Sequence, residues 1–174
     1  IDQHSAAWNE TFHHPDAEHE LGDAIALPMI YGRFGLGQRT DLGAYFAGNP
    51  SASYRLTGLG LKRNLVQGAS SAPDLAVSLD WGLLFGPDDT TVNAVGTDLH
   101  ASRSWKAITG YASAGLAWAH GVERSPLVDL QTEDPLTAHW SVGLSPRVWR
   151  HVGVDLRARF ASVDTFELRI GHTF

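Results

Sequence analysis

From about residue 24 the chain alternates between apolar and polar positions, and each such run predicts a strand with one oily and one polar face. In the closing stretch, Asp164 to Phe174, the apolar face takes Phe166, Leu168, Ile170, His172 and Phe174. Thr165, Glu167, Arg169, Gly171 and Thr173 take the other. The clearest run lies further back, where Leu75, Val77, Leu79, Trp81, Leu83 and Phe85 interleave with Ala76, Ser78, Asp80, Gly82 and Leu84. No segment in the body of the chain has a helical period.

Residues 1–23 form a polar segment in which His4, His13, His14 and His19 are mixed with acidic residues; Ala6, Trp8 and Phe12 mark a short first strand there. Residues 24–174 carry the strands proper. Met29 to Arg39 puts Ile30, Phe34 and Leu36 on one face, and a turn at residues 38–40 leads into Asp41 to Phe46. Ser53 to Leu65 follows a Gly48-Asn49-Pro50-Ser51 turn signal. Because Tyr54 and Leu56 fall on even positions and Leu59 and Leu61 on odd ones, a bulge is expected near Gly58.

A turn at Ser104-Trp105 sets Leu99 opposite Gly110, His100 opposite Thr109 and Asp98 opposite Tyr111. Gly121 to Thr137, acidic and broken by Pro126 and Pro135, reads as an exposed loop. The next pair sets Leu144 opposite Leu156 and Trp140 opposite Phe160. The last turn, at Ser162-Val163-Asp164, sets Phe160 opposite Phe166, Leu156 opposite Ile170 and Arg159 opposite Glu167. Counted back from Phe174 the strands number nine. The segment around Trp8 makes ten, and eight remain if a short one does not span.

Alternation has no sign: a soluble sandwich or lipocalin would bury the large residues and expose the charges. Three features favour the inverse. Aromatics gather toward strand ends, with Trp105, Trp149 and Phe174 at one rim and Phe46, Phe85, Trp118, Trp140 and Phe160 near the other; Trp81 joins the same belt. The polar face is rich in glycine, as a crowded interior requires. Short turns alternate with longer loops.

Composition narrows the classes. No run of 174 residues approaches a membrane helix, and the best, Ala24 to Tyr31, is broken at Pro28. There is no cysteine, hence no disulfide or thiol chemistry, and no basic leader opens the sequence, the expectation for a processed chain. With 13 Lys+Arg against 19 Asp+Glu the net charge is -6, which argues against nucleic acid as partner. Only Lys62 and Lys106 are lysines, and an arginine bias suits a polar interior with fixed acceptors.

The stretch Phe166 to Phe174, together with Gly35 to Gly43, resembles the small outer-membrane β-barrel proteins of Gram-negative bacteria. The resemblance implies an antiparallel up-and-down transmembrane barrel of about ten strands, located in the outer membrane and surrounded by its lipid. It also implies that Phe166, Leu168, Ile170 and Phe174 form the signal presented to the barrel-assembly machinery, with other envelope proteins as further partners. Such barrels include pores, adhesins, lipid enzymes and structural subunits.

Three candidate sites emerge. Asp155, Arg157, Arg159, Glu167 and Arg169 share the polar face near the C-terminus and read as an ion-pair network filling a narrow lumen, joined by Arg33, Arg55 and Asp80. His100 and Ser102, with Asp98 beside them, are similar to the His-x-Ser pair of outer-membrane lipid A deacylases, although residues two apart on a strand stand about 6–7 Å apart. A histidine hydrogen-bonded in the lumen is the plainer reading. His13, His14 and His19 have ligand chemistry but match no standard metal spacing. No nucleotide or other cofactor motif is present. The expected role is a non-enzymatic anchor or partner-binding barrel, with a small selective channel and a lipid hydrolase as alternatives.

Overall fold

A computed structural model describes residues 27–48, 55–68, 72–85, 90–123, 135–148, 152–162 and 164–172. They form nine strands: β1 (Met29–Gly35), β2 (Thr40–Gly48), β3 (Arg55–Val66), β4 (Asp74–Phe85), β5 (Thr90–Trp105), β6 (Ile108–Glu123), β7 (Leu136–Pro146), β8 (Val152–Phe160) and β9 (Thr165–His172). Each pairs antiparallel with the next, in chain order, in one curled sheet. This is the up-and-down architecture of a β-barrel. The expected first strand around Trp8 lies outside the described residues.

The apolar face points out. Leu79 is 55 % exposed, Ile170 74 % and Phe166 82 %, whereas Ser78, His139 and Ser141 on the concave face are 7 %, 5 % and 3 % exposed. Among the described residues only Ala47 and Ala76 are buried hydrophobics. Cross-strand partners share a face, so outward rows run across the sheet. One row is Leu59, Trp81, Val95, Trp118 and Leu136; another is Leu42, Leu61, Leu79, Thr97 and Leu116. Trp105 ends β5 at the rim bearing the 36–39 and 106–107 turns, and Trp140 stacks on Phe160 toward the other rim, with ring centroids 4.1 Å apart. Trp149 and Phe174 lie outside the described residues.

Three expected registers shift; two leave the faces unchanged, and the one in β3 turns over its first residues. Pairing runs unbroken through Gly58; the irregularity in β3 falls between Asn64 and Val66. Without a bulge at Gly58, Leu56 points inward to meet Leu84 and Ala47, and Arg55, opposite Phe85, stands on the outer face rather than in the lumen. In the β5–β6 hairpin Leu99 pairs with Ala114, His100 with Ser113 and Asp98 with Gly115. The strand continues through Trp105, and Lys106 takes φ 52° so that two residues suffice for the turn. In β8–β9, Arg159 pairs with Thr165, Arg157 with Glu167, Leu156 with Leu168 and Asp155 with Arg169. The connection there is two residues longer than the expected one, which moves every partner by two and leaves the faces intact.

Glycines on the inner face make room for the large polar side chains of adjacent strands. Tyr111 lies over Gly143, Tyr45 over Gly58 and Gly82, and Asp80 over Gly60. A Cβ at Gly115 would stand 2.8 Å from the His139 ring nitrogen. At Gly143 a Cβ would stand 2.6 Å from the Leu156 carbonyl oxygen, which is backbone and cannot step aside. Gly143→Val is therefore expected to destabilise the fold by about 1–3 kcal/mol, read as a lower urea midpoint with an unchanged slope.

Candidate functional site

Register determines which polar side chains meet on the concave face. Three groups form there. The first is centred on β5 and β6. Asp98 lies opposite Gly115, and the space left by that glycine admits His139 from β7. The His139 Nε2 stands 3.0 Å from Asp98 Oδ1, with the imidazole side chain 1 % exposed. Ser113 donates to the same oxygen at 3.0 Å and lies 2.8 Å from Ser141 Oγ. A serine has one proton; Ser113 gives it to Asp98, so Ser141 donates to Ser113. His139 likewise donates through Nε2, since a carboxylate only accepts.

In the second group Ser78 of β4 donates to Asp80 Oδ2 at 2.9 Å and lies 2.9 Å from His100 Nε2. Its proton being committed to Asp80, the ring nitrogen must be the donor. The resulting order is imidazole, serine, carboxylate. Hydrolytic triads place the imidazole in the middle, where it takes the serine proton. Here the serine is in the middle, and its oxygen is closed off on the inner wall.

The third group is at β8–β9. Tyr111 donates to Asp155 Oδ1 at 2.7 Å and accepts from Arg157 Nε at 3.4 Å; the Arg157 guanidinium lies 5.4 Å from the Tyr111 ring centre. Glu167 bridges Arg157, at 3.9 Å, and Arg169. Arg169 in turn lies over the Tyr31 ring, 5.2 Å from its centre, and Arg33 donates to the Tyr31 hydroxyl at 3.1 Å. Carboxylate, guanidinium and phenol together satisfy one another, as a confined polar lining demands.

Of the expected lumen residues, Asp155, Arg157, Glu167 and Arg169 are gathered in this third group. Arg159 shares their face but is replaced by Arg157 as the partner of Glu167, because of the longer β8–β9 connection. Asp155 lies directly opposite Arg169 and accepts a hydrogen bond from Tyr111. His100, Ser102 and Asp98 do not assemble with one another: His100 bonds Ser78, Asp98 bonds Ser113 and His139, and Ser102 lies opposite Asp74 and Tyr111. Ser78, Ser113, His139 and Ser141 were not singled out by the sequence. The available signal was a histidine facing a glycine across β6–β7, and the carboxylate it meets was visible only with the correct β5–β6 register.

Among the described residues no three His, Asp or Glu side chains converge as a metal site. His13, His14 and His19 lie outside those residues. No helix there is long and apolar enough to cross a membrane, which says nothing of strands. Comparison with known proteins brings no matching family model, no matching curated protein and no matching solved structure.

Proposed function

We propose that the chain is an outer-membrane β-barrel with a structural, anchoring or partner-binding role and a lumen largely filled by its own polar side chains. The observation that carries this reading is the inverted sheet: large apolar residues outward in rows, serine, histidine and ion pairs inward. Water-soluble monomers rarely expose contiguous apolar patches beyond a few hundred Å², whereas lipid requires such a surface. The 12-residue β3 and β4 exceed the roughly 9–11 residues that a tilted strand needs to span the hydrocarbon layer.

An anchor is favoured over an enzyme because the inner-wall serines Ser78, Ser113 and Ser141 are all hydrogen-bonded, and Ser78 and Ser141 are buried. The test is extraction of the full chain in mild detergent, followed by electrophoresis with and without heating. Faster migration of the unheated form, together with co-purifying envelope subunits, is the expected result. Release in the aqueous fraction without detergent would overturn the membrane reading; a solitary, heat-modifiable monomer that conducts in planar bilayers would replace the anchor with a channel.

A further inference from the structure

Among the described residues, charge divides between the two faces of the sheet. The strand carboxylates Asp41, Asp74, Asp80, Asp98, Asp155 and Glu167 all stand on inner rows. On the outer rows the only Asp, Glu, Lys or Arg side chains are Arg55, Arg63 and Arg103. Inside, guanidinium meets carboxylate, as Arg157 and Arg169 do at Glu167. Outside, the described strands offer their arginines no carboxylate at all.

Arg55, opposite Phe85, is at one rim; Arg63 and Arg103 lie toward the other, where the 36–39 and 106–107 turns are. Arg63 is exposed and pairs with Thr40, the residue that opens β2 after the first of those turns, on a row that continues through Val77 and Leu99. Arg103, also exposed, heads the row Gly110, Leu144, Leu156 and Leu168. Its guanidinium lies 5.7 Å from the centre of the Trp105 ring, which itself lies over Gly110. Lys106 is exposed in the turn that follows. None of the three cations is in an ion pair with a described residue. A long basic side chain rooted among apolar neighbours lays its stem on them and carries its charge to the polar boundary. A tryptophan beside it suits the same boundary.

We infer that Arg63, Arg103 and Lys106 form a docking surface for anionic phospholipid, and bind the headgroup phosphates of the leaflet level with the short turns. The inference rests on the membrane reading. Charge complementarity selects the occupant. Unpaired cations at a rim whose outer face has no carboxylate take their anion from outside the chain, and the apolar rows that continue from them along the wall take acyl chains. One molecule with a phosphate above and a hydrocarbon tail below meets both demands. Short turns mark the periplasmic side of such barrels, so the phosphates are those of phospholipid and not of lipopolysaccharide. A guanidinium engages two phosphate oxygens at once, whereas an ammonium acts as a point charge; Arg63 and Arg103 therefore hold the headgroups more firmly than Lys106.

The chain contains no cysteine, so a single engineered one carries a fluorophore without background. Ala112→Cys, on the outer row next to that of Arg103 and Gly110, reports on lipid beside Arg103; Ala138→Cys, outward on β7 toward the other rim, is the reference. The full chain is folded into phosphatidylcholine vesicles holding a minority of phosphatidylglycerol, with one lipid or the other brominated on its acyl chains, and quenching is read at each label. Phosphatidylglycerol is expected to be enriched about fivefold over its bulk fraction at Ala112→Cys, the enrichment that one basic residue near an anionic surface supplies, and not at Ala138→Cys. Combining Arg63→Gln, Arg103→Gln and Lys106→Gln should abolish the enrichment, as should salt at about 1 M, whereas Arg63→Lys with Arg103→Lys should keep most of it. Heat-modifiable migration of each variant shows that it has folded. Equal quenching by the two lipids at Ala112→Cys would overturn the inference and leave the membrane reading standing. So would an enrichment that survives loss of the three cations, or one that is equally strong at Ala138→Cys. Quenching by neither lipid at either label would remove the membrane reading and the inference with it.

Discussion

Leu79→Arg is expected to destabilise the folded chain in lipid by about 2–4 kcal/mol, the largest effect of any outer-face substitution. Leu79 is the middle outward residue of β4 and is flanked on its row by Leu61 and Thr97. In water a guanidinium at a site more than half exposed would alter stability by less than about 0.5 kcal/mol. In hydrocarbon it loses its hydration with no partner available on that face. Depth supplies the control: Ile108→Arg, beside the 106–107 turn at the rim, should cost about 0–1 kcal/mol. Urea unfolding of the two variants from lipid vesicles measures the difference, and equal small effects would mean that the apolar rows do not face lipid.

Asp98→Ala should cost about 3–5 kcal/mol, acting from the opposite side of the same wall. The carboxylate accepts from Ser113 and from the almost wholly buried His139. Removing it strands two donors where water has little access. Asp98→Asn keeps one acceptor oxygen and should lose less. The double variant Asp98→Ala with His139→Ala should be less destabilised than the sum of the single changes, because the second removes a donor that the first has orphaned. Strict additivity would show that the two side chains act independently.

The direction of the strand faces was legible in the sequence everywhere but at the start of β3, because a period of two survives any register shift by an even number of residues. That is why Arg157, Glu167 and Arg169 were placed on the inner wall despite a two-residue slip at the last turn. Pairwise contacts were not legible to the same degree. They depend on turn length, and the sequence around Trp105 and Lys106 gives no glycine to announce a two-residue turn with positive φ. Leu56 misled for a different reason. An apolar residue on the inner face looked like a bulge, whereas near that rim the inner wall is itself lined by Ala47, Leu56 and Leu84. The two serine-centred groups followed from register alone, and so stayed hidden until the β4, β5, β6 and β7 alignments were known.

The hairpin of β5 and β6 is the longest in the sheet, at 16 residues a strand, and occupies its middle. Every ladder joins neighbours in sequence, so loop closure during assembly is inexpensive at each step and contact order is low. Nucleation is then expected at the Lys106-Ala107 corner, with zippering outward and the edges arriving last. Lys106→Gly removes the steric penalty of the left-handed conformation, worth about 1–2 kcal/mol. Its benefit should appear in the refolding rate rather than the unfolding rate, whereas changes in β1 or β9 should act mainly on how quickly the finished sheet comes apart.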